Sequence, residues 1–184
     1  MTTTTLAFDT ATSYGAVCGT SDGARAERPR AGDLLAAVDE LVEPGAIGRI
    51  VVGRGPGSFT SIRIGLAMAR SLALTLGVPV AGASTLDGYR DAVPVIDARR
   101  GEVFTAGPTV CKPEQVEANG LVLVGDGAVR YRELFERAGA TIPDDDDPVH
   151  RPDPLWLIEA AGAFGDAELV EPLYVREPDA QVQA

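Results

Sequence analysis

Apolar and polar positions alternate weakly through residues 3–8 and then meet a polar run, Asp9-Thr10-Ala11-Thr12-Ser13. That is the period of a half-buried strand ending in a turn. Residues 14–19 predict a second strand, Ser21-Asp22-Gly23 a hairpin turn, and the stretch through Arg28 a short third strand. The period then lengthens. Leu34, Leu35, Val38, Leu41 and Val42 share one helical stripe, which Asp33 is placed to cap and Pro44-Gly45 to end. Residues 47–52 predict a fourth strand. Next, Gly53-Arg54-Gly55-Pro56-Gly57 puts three glycines and a proline into five positions, and Ser58, Phe59, Thr60 and Ser61 follow. A long apolar segment over 62–76 comes behind them, so the stretch reads as strand, tight turn and helix start. Gly77-Val78-Pro79 stops that helix, residues 80–83 predict a fifth strand, and Ser84 caps a short helix through Tyr89.

The order β-β-β-α-β-α-β is not the strict alternation of a Rossmann sheet. It predicts an α/β fold of the actin-like, ribonuclease-H-like (ASKHA) type. A weaker second copy begins at Val93: a strand over 93–98 ends in Asp97 as the first ends in Asp9. A strand at 102–106, a helix at 113–118, a strand at 121–124 and a helix after Gly125-Asp126-Gly127 continue it. An acidic loop at 144–147, a last helix over 155–164 and an extended tail over 169–175 complete the chain. Two lobes are expected, 1–92 and a reduced 93–184, each with a mixed sheet and flanking helices.

The helix after the glycine turn departs from an ordinary surface helix. At about 100° per residue, Ile62, Leu66, Ala69, Leu72, Ala73 and Leu76 form one apolar face. Ile64, Ala67, Met68, Ser71 and Thr75 lie opposite, where charge is expected, and Arg63 and Arg70 sit one above the other between the two faces. The second face is either sandwiched within the fold or docks another subunit, and small residues with one Met favour docking.

Composition narrows the function classes. The 184 residues carry 16 basic and 27 acidic side chains, a net charge of −11, which argues against free-standing nucleic-acid binding. Cys18 and Cys111 have no metal-ligand spacing, and the N-terminus has no signal-peptide pattern. No run approaching about 18 apolar residues is read from the sequence, so a soluble, cytoplasmic chain is expected.

Candidate chemistry is thin. The turn residues Gly53, Gly55, Gly57, Ser58 and Thr60 could hold an anion at a helix N-terminus or form a plain βα connection. The turn lacks the third glycine of a dinucleotide fingerprint and the Gly-Lys-Ser/Thr of a P-loop; Lys112 is the lone lysine. Asp9 and Asp97 end strands where actin-type enzymes hold a metal bridging phosphates, or they cap the following turns. One histidine, His150, cannot supply a two-histidine metal site. No cofactor, metal or catalytic residue is assigned.

Asp9-Thr10-Ala11-Thr12, Gly53-Arg54-Gly55-Pro56-Gly57-Ser58-Phe59-Thr60, Arg63-Ile64-Gly65, Ser84-Thr85-Leu86, Ile96-Asp97-Ala98-Arg99-Arg100-Gly101-Glu102-Val103 and Pro172-Leu173-Tyr174-Val175-Arg176 together resemble the TsaB (YeaZ) family. The resemblance covers both lobes. It implies a non-catalytic partner of the paralogue TsaD and of the ATPase TsaE, in the assembly that puts a threonylcarbamoyl group on N6 of a tRNA adenosine. It implies contact with tRNA only through that assembly, and docking through first-lobe helices. Leu34, Val38, Arg63, Ile64, Ala67, Met68 and Ser71 are the expected interface, with self-association through the same face when the chain is alone. The rival reading is an actin-type, Mg-dependent phosphotransferase or nucleotide hydrolase. Ser61 stands where the family usually has glycine, and Ala31-Gly32-Asp33 replaces a His-Ser type helix start.

Overall fold

The structure, a computed structural model, describes residues 3–176. β1 (Thr4–Asp9), β2 (Ala16–Thr20) and β3 (Arg25–Arg28) form an antiparallel meander. α1 (Leu34–Leu41), β4 (Ile47–Gly53), α2 (Phe59–Leu76) and β5 (Val80–Ala83) follow, with β4 parallel to both β1 and β5. The sheet order is β3-β2-β1-β4-β5. Leu6 and Phe8 of β1 join Ile50 and Val52 of β4 in a core under α1 and α2, while Ala7 and Val51 point to the other face. Both faces are covered, so the central strands are apolar at successive positions rather than at every second one.

The second sheet holds β6 (Val93–Arg99), β7 (Glu102–Thr105), β8 (Thr109–Cys111) and β9 (Leu123–Val124) in the order β8-β7-β6-β9. This repeats β3-β2-β1-β4, with β6 and β9 parallel as β1 and β4 are. Strand β8 is absent from the sequence reading because three residues give no period to follow. The helix read through 129–135 is two, α3 (Asp126–Arg130) and α4 (Arg132–Arg137), parted at Tyr131. The helix at 113–118 is a single 3-10 turn, Pro113–Gln115.

α5 (Pro154–Ala160) crosses to the free face of the first sheet, where Leu157 packs with Ala7, Val51 and Ala83. The helix read to 164 stops at 160 because the chain turns to cover the edge strand. Gly165 and Val80 exchange backbone bonds of 3.0 and 2.9 Å, and Gly162 donates to the Gly82 carbonyl at 3.2 Å. An uncovered β5 edge would expose unpaired backbone groups to other chains. Residues 166–176 run on as a strap: Leu173 donates to the Arg54 carbonyl at 2.7 Å, and Arg176 pairs with Glu102 of β7.

Among the described residues α2 is the one helix whose 18 residues, with a mean hydropathy of 1.2, would by length and composition alone suit a bilayer. It is also a core helix. Ile62, Gly65, Leu66, Ala69 and Ala73 are buried against the sheet, and Arg63 and Arg70 fall within its length.

Candidate functional site

The glycine turn is built by close approach. A Cβ on Gly53 would lie 1.8 Å from Asp9 Oδ2, one on Gly57 would lie 2.3 Å from the Ala11 carbonyl, and Gly55 adopts φ +98°. Three amides of the turn bond inward. Arg54 N donates to the Ala83 carbonyl at 3.0 Å, Ser58 N to the Ala11 carbonyl at 2.8 Å, and Gly55 N to Thr85 Oγ1 at 3.1 Å. Ser58 caps α2, accepting from Ser61 N at 3.4 Å and from the Ser61 hydroxyl at 3.0 Å. The Ser61 side chain therefore joins the cap rather than obstructing the helix entry. Gly65 lets the first turns of α2 sit on Thr10, whose hydroxyl donates to the Ser61 carbonyl at 2.7 Å. The turn's first task is to aim α2.

Of the expected docking residues, Ala67 and Ser71 are exposed and Ile64 and Met68 half-buried on the outer side of α2; Leu74 beside them is 87 % exposed. Two are corrected. Leu34 and Val38 point into the core, at 0 % and 5 % exposure, because α1 lays that stripe on its own sheet. The outer side of α1 is Leu35, Ala36 and Asp39. Asp33 does not cap α1; its carboxylate pairs with Arg30 at 2.9 Å. Between the helices runs a groove of about 400 Å³, lined by Leu35, Val42, Ile47, Leu72 and Leu76 among others. Arg63 turns away from this face. Its Nε donates to the Tyr174 hydroxyl at 3.0 Å and its guanidinium lies 3.9 Å from the Phe59 ring centroid, while Arg70 donates to the Val170 carbonyl at 3.2 Å. Both arginines hold the strap.

Asp9 and Asp97 occupy different surroundings. Asp9 is buried, accepting from Ala11 N at 2.7 Å and from the Thr85 hydroxyl at 2.6 Å. Burial raises its carboxyl from the ordinary 3.8 to about 6, against the lowering effect of those two bonds and with a small addition from the charge of Asp126. The folded state thus holds this proton more tightly than the unfolded chain. The stability it contributes is complete below the unfolded value near 3.8 and is lost as pH rises through about 6. Urea midpoints should fall between pH 4 and pH 7 by the equivalent of about 2 kcal/mol from this group, and the Asp9→Asn variant should flatten that slope.

Asp97 Oδ2 is shared by Arg99 at 3.2 Å and Arg130 at 3.3 Å. It borders a cleft of about 660 Å³ between the sheets, where Gly57, Ser58 and Thr60 of the turn face the β6–β7 hairpin and the strap. Among the described residues no three His, Cys, Asp or Glu side chains group as metal ligands. His150 is fully buried, with Nδ1 accepting from Gly125 N at 3.1 Å, so Nε2 carries the proton and donates to the Pro143 carbonyl at 3.2 Å. The acidic residues 144–147 are exposed, and Asp147 caps the 3-10 turn Pro148–His150.

Sequence reasoning missed Asp126. Its carboxylate accepts from Ser13 N at 2.8 Å and Asp97 N at 2.9 Å, joining the first-sheet loop to β6. Its place between two glycines signalled a turn and nothing more. Tyr174, stacked on Phe59 with centroids 4.8 Å apart, was legible only as part of a tail.

A family model described as TsaD, tRNA N6-adenosine threonylcarbamoyltransferase, matches residues 34–120. An uncharacterised protein of Mycobacterium tuberculosis is 34 % identical over 172 residues, covering 86 % of this chain and 78 % of that one. The tRNA threonylcarbamoyladenosine biosynthesis protein TsaB of Escherichia coli is 29 % identical, covering 93 % and 94 %. The chain belongs to the TsaB (YeaZ) family. A solved structure of YeaZ from Pseudomonas aeruginosa covers 94 % of this chain and 100 % of its own at TM-score 0.69 and 25 % identity. A second P. aeruginosa structure, an uncharacterised protein with similarity to peptidase YeaZ, reaches TM-score 0.73 at 27 % identity, covering 95 % and 100 %.

Proposed function

We propose that this chain serves tRNA threonylcarbamoyladenosine biosynthesis as a non-catalytic scaffold. In this reading it docks a TsaD-type paralogue and so supports recruitment of the ATPase TsaE, in the cytoplasm, meeting tRNA only through the assembly. Its two sheets are the lobes of an actin-like (ASKHA) fold, the second reduced, with the boundary near residue 92. The observation that carries the reading is the outer side of α2. Ala67, Ser71 and Leu74 stand exposed beside Ile64 and Met68, and the α1–α2 groove continues the apolar surface. Surfaces of this kind, with small side chains permitting close helix approach, are buried by partners.

The phosphotransferase reading draws less support. A metal–phosphate site needs carboxylates free to reach it; Asp9 is held by Thr85 and Ala11, and Asp97 by two guanidinium groups. The test of the scaffold reading is co-expression with the TsaD-type paralogue of the same organism, followed by size-exclusion chromatography. A stable heteromeric peak is expected. Two separate peaks, or a self-associated form that the paralogue fails to displace, would count against it.

A further inference from the structure

The two most exposed large hydrophobic side chains among the described residues are Leu74, at 87 %, and Leu169, at 79 %. A single exposed leucine is ordinary, but these two border one seam. Leu74 stands one helical turn on from Arg70 along α2. Leu169 precedes Val170, whose carbonyl accepts from the Arg70 guanidinium at 3.2 Å. One cation of α2 thus ties the helix to the strap within a turn of Leu74 and a residue of Leu169.

The turn that carries Leu169 is held from several sides. Asp166 caps the 3-10 turn Ala167–Leu169, accepting from Glu168 N at 3.0 Å. Ala167 and Val170 pack against the first-sheet core, and Glu168 reaches Arg70 at 3.8 Å. Its neighbours are drawn inward while Leu169 stays in solvent. An apolar side chain on a turn already ordered spares much of the entropy that binding otherwise costs.

The outer face of α2 is too small to hold a partner alone. From Ile64 to Leu74 it runs roughly 15 Å and is about 10 Å wide, so it offers at most roughly a few hundred Å². A stable interface takes about 800 Å² from each partner. The α1–α2 groove extends the surface on one side, and the strap borders it on the other. Charge then selects the occupant. Asp166, Glu168 and Glu171 are all exposed around Leu169 along the strap. A second copy presenting the same patch would set these carboxylates against their own kind, and an anionic lipid surface would be repelled by them. A different protein with basic groups there meets no such penalty.

Resting on the docking already assigned to α2, we infer that the TsaD-type paralogue also covers the strap. It seats Leu74 and Leu169 in apolar hollows and sets basic groups opposite Asp166, Glu168 and Glu171.

Biolayer interferometry of the full chain on the immobilised paralogue of the same organism tests this, with a melting curve for each variant. Leu169→Asn should melt within a few degrees of the parent and bind about tenfold more weakly. Leu74→Ala/Leu169→Asn should lose about thirtyfold or more. Thr109→Asn, exposed on β8 of the second sheet, should bind as the parent does. Undiminished binding by Leu169→Asn, with binding lost in Ala67→Asp, overturns the strap contact and leaves docking on α2 standing. Undiminished binding by both, or no binding by the parent, overturns docking on α2 and the strap contact with it. Self-association lost in Leu169→Asn while paralogue binding is intact gives the patch to a second copy and overturns the assignment to the paralogue.

Discussion

Gly53→Ala is expected to abolish the stable fold. The added methyl would lie 1.8 Å from Asp9 Oδ2 and 2.6 Å from Asp9 Cγ. A flexible neighbour could move aside, but Asp9 is buried and fixed by its bonds to Ala11 N and the Thr85 hydroxyl. Displacing it breaks both bonds and leaves a carboxylate, already disfavoured by burial, without partners. Thr85 also accepts from Gly55 N, so the disturbance reaches the turn that aims α2. Overpacking alone costs about 1–3 kcal/mol, and an unsatisfied buried group adds about as much again. A loss of about 4 kcal/mol or more consumes much of the stability of a domain this size. Thermal melting should show a strongly lowered or absent transition. The control is Gly32→Ala, where nothing lies within 4 Å of the new methyl; it should melt within a few degrees of the parent. Equal melting of the two variants would refute the packing argument.

That pairing of Gly53 with Asp9 also shows what a sequence reading can reach. The strand ending in Asp9 and the strand ending in Gly53 were both legible, because central parallel strands are runs of β-branched and apolar residues bounded by turn chemistry. The contact itself was not legible, because a glycine is needed there for a reason lying some forty residues away in the chain. The same holds for α2. Its period and the Gly77 stop were plain, but the helix begins at Phe59, three residues before the apolar run, since Ser58 supplies the cap.

The second half of the chain was less legible for physical reasons that differ from place to place. β8 is three residues long, too short for any period, and the strand read over 121–124 is cut to the two residues of β9. α5 ends early because an edge strand elsewhere competes for the backbone of residues 162–165. On α1 the reading put Leu34 and Val38 on the partner side. A stripe shows which residues share a face, but not whether that face meets the sheet or a partner. Amphipathicity resolves this only when the opposite face is charged; Leu35 and Ala36 blur it.

Ala67→Asp is expected to separate docking from folding. Met68, the more obvious target from the sequence, packs partly against the first-sheet core, so a charge there would disturb both. Ala67 is exposed on the outer side of α2, with Ser71 one turn on and Ile64 one turn back, and an aspartate in solvent at that position costs the isolated chain little. In a helix–helix interface the same side chain brings two penalties: it holds the backbones apart where a methyl allowed close approach, and it buries a charge without a partner. Together these cost about 3 kcal/mol or more, a loss of about a hundredfold or more in affinity for the TsaD-type partner. Co-purification should fail while the melting temperature stays near that of the parent. Leu35→Asp, on the outer side of α1 across the groove, should weaken association by a smaller factor if the docked surface spans both helices. Full co-purification of Ala67→Asp would place the partner elsewhere and leave the exposed side of α2, with Leu74 at its edge, without the role assigned to it.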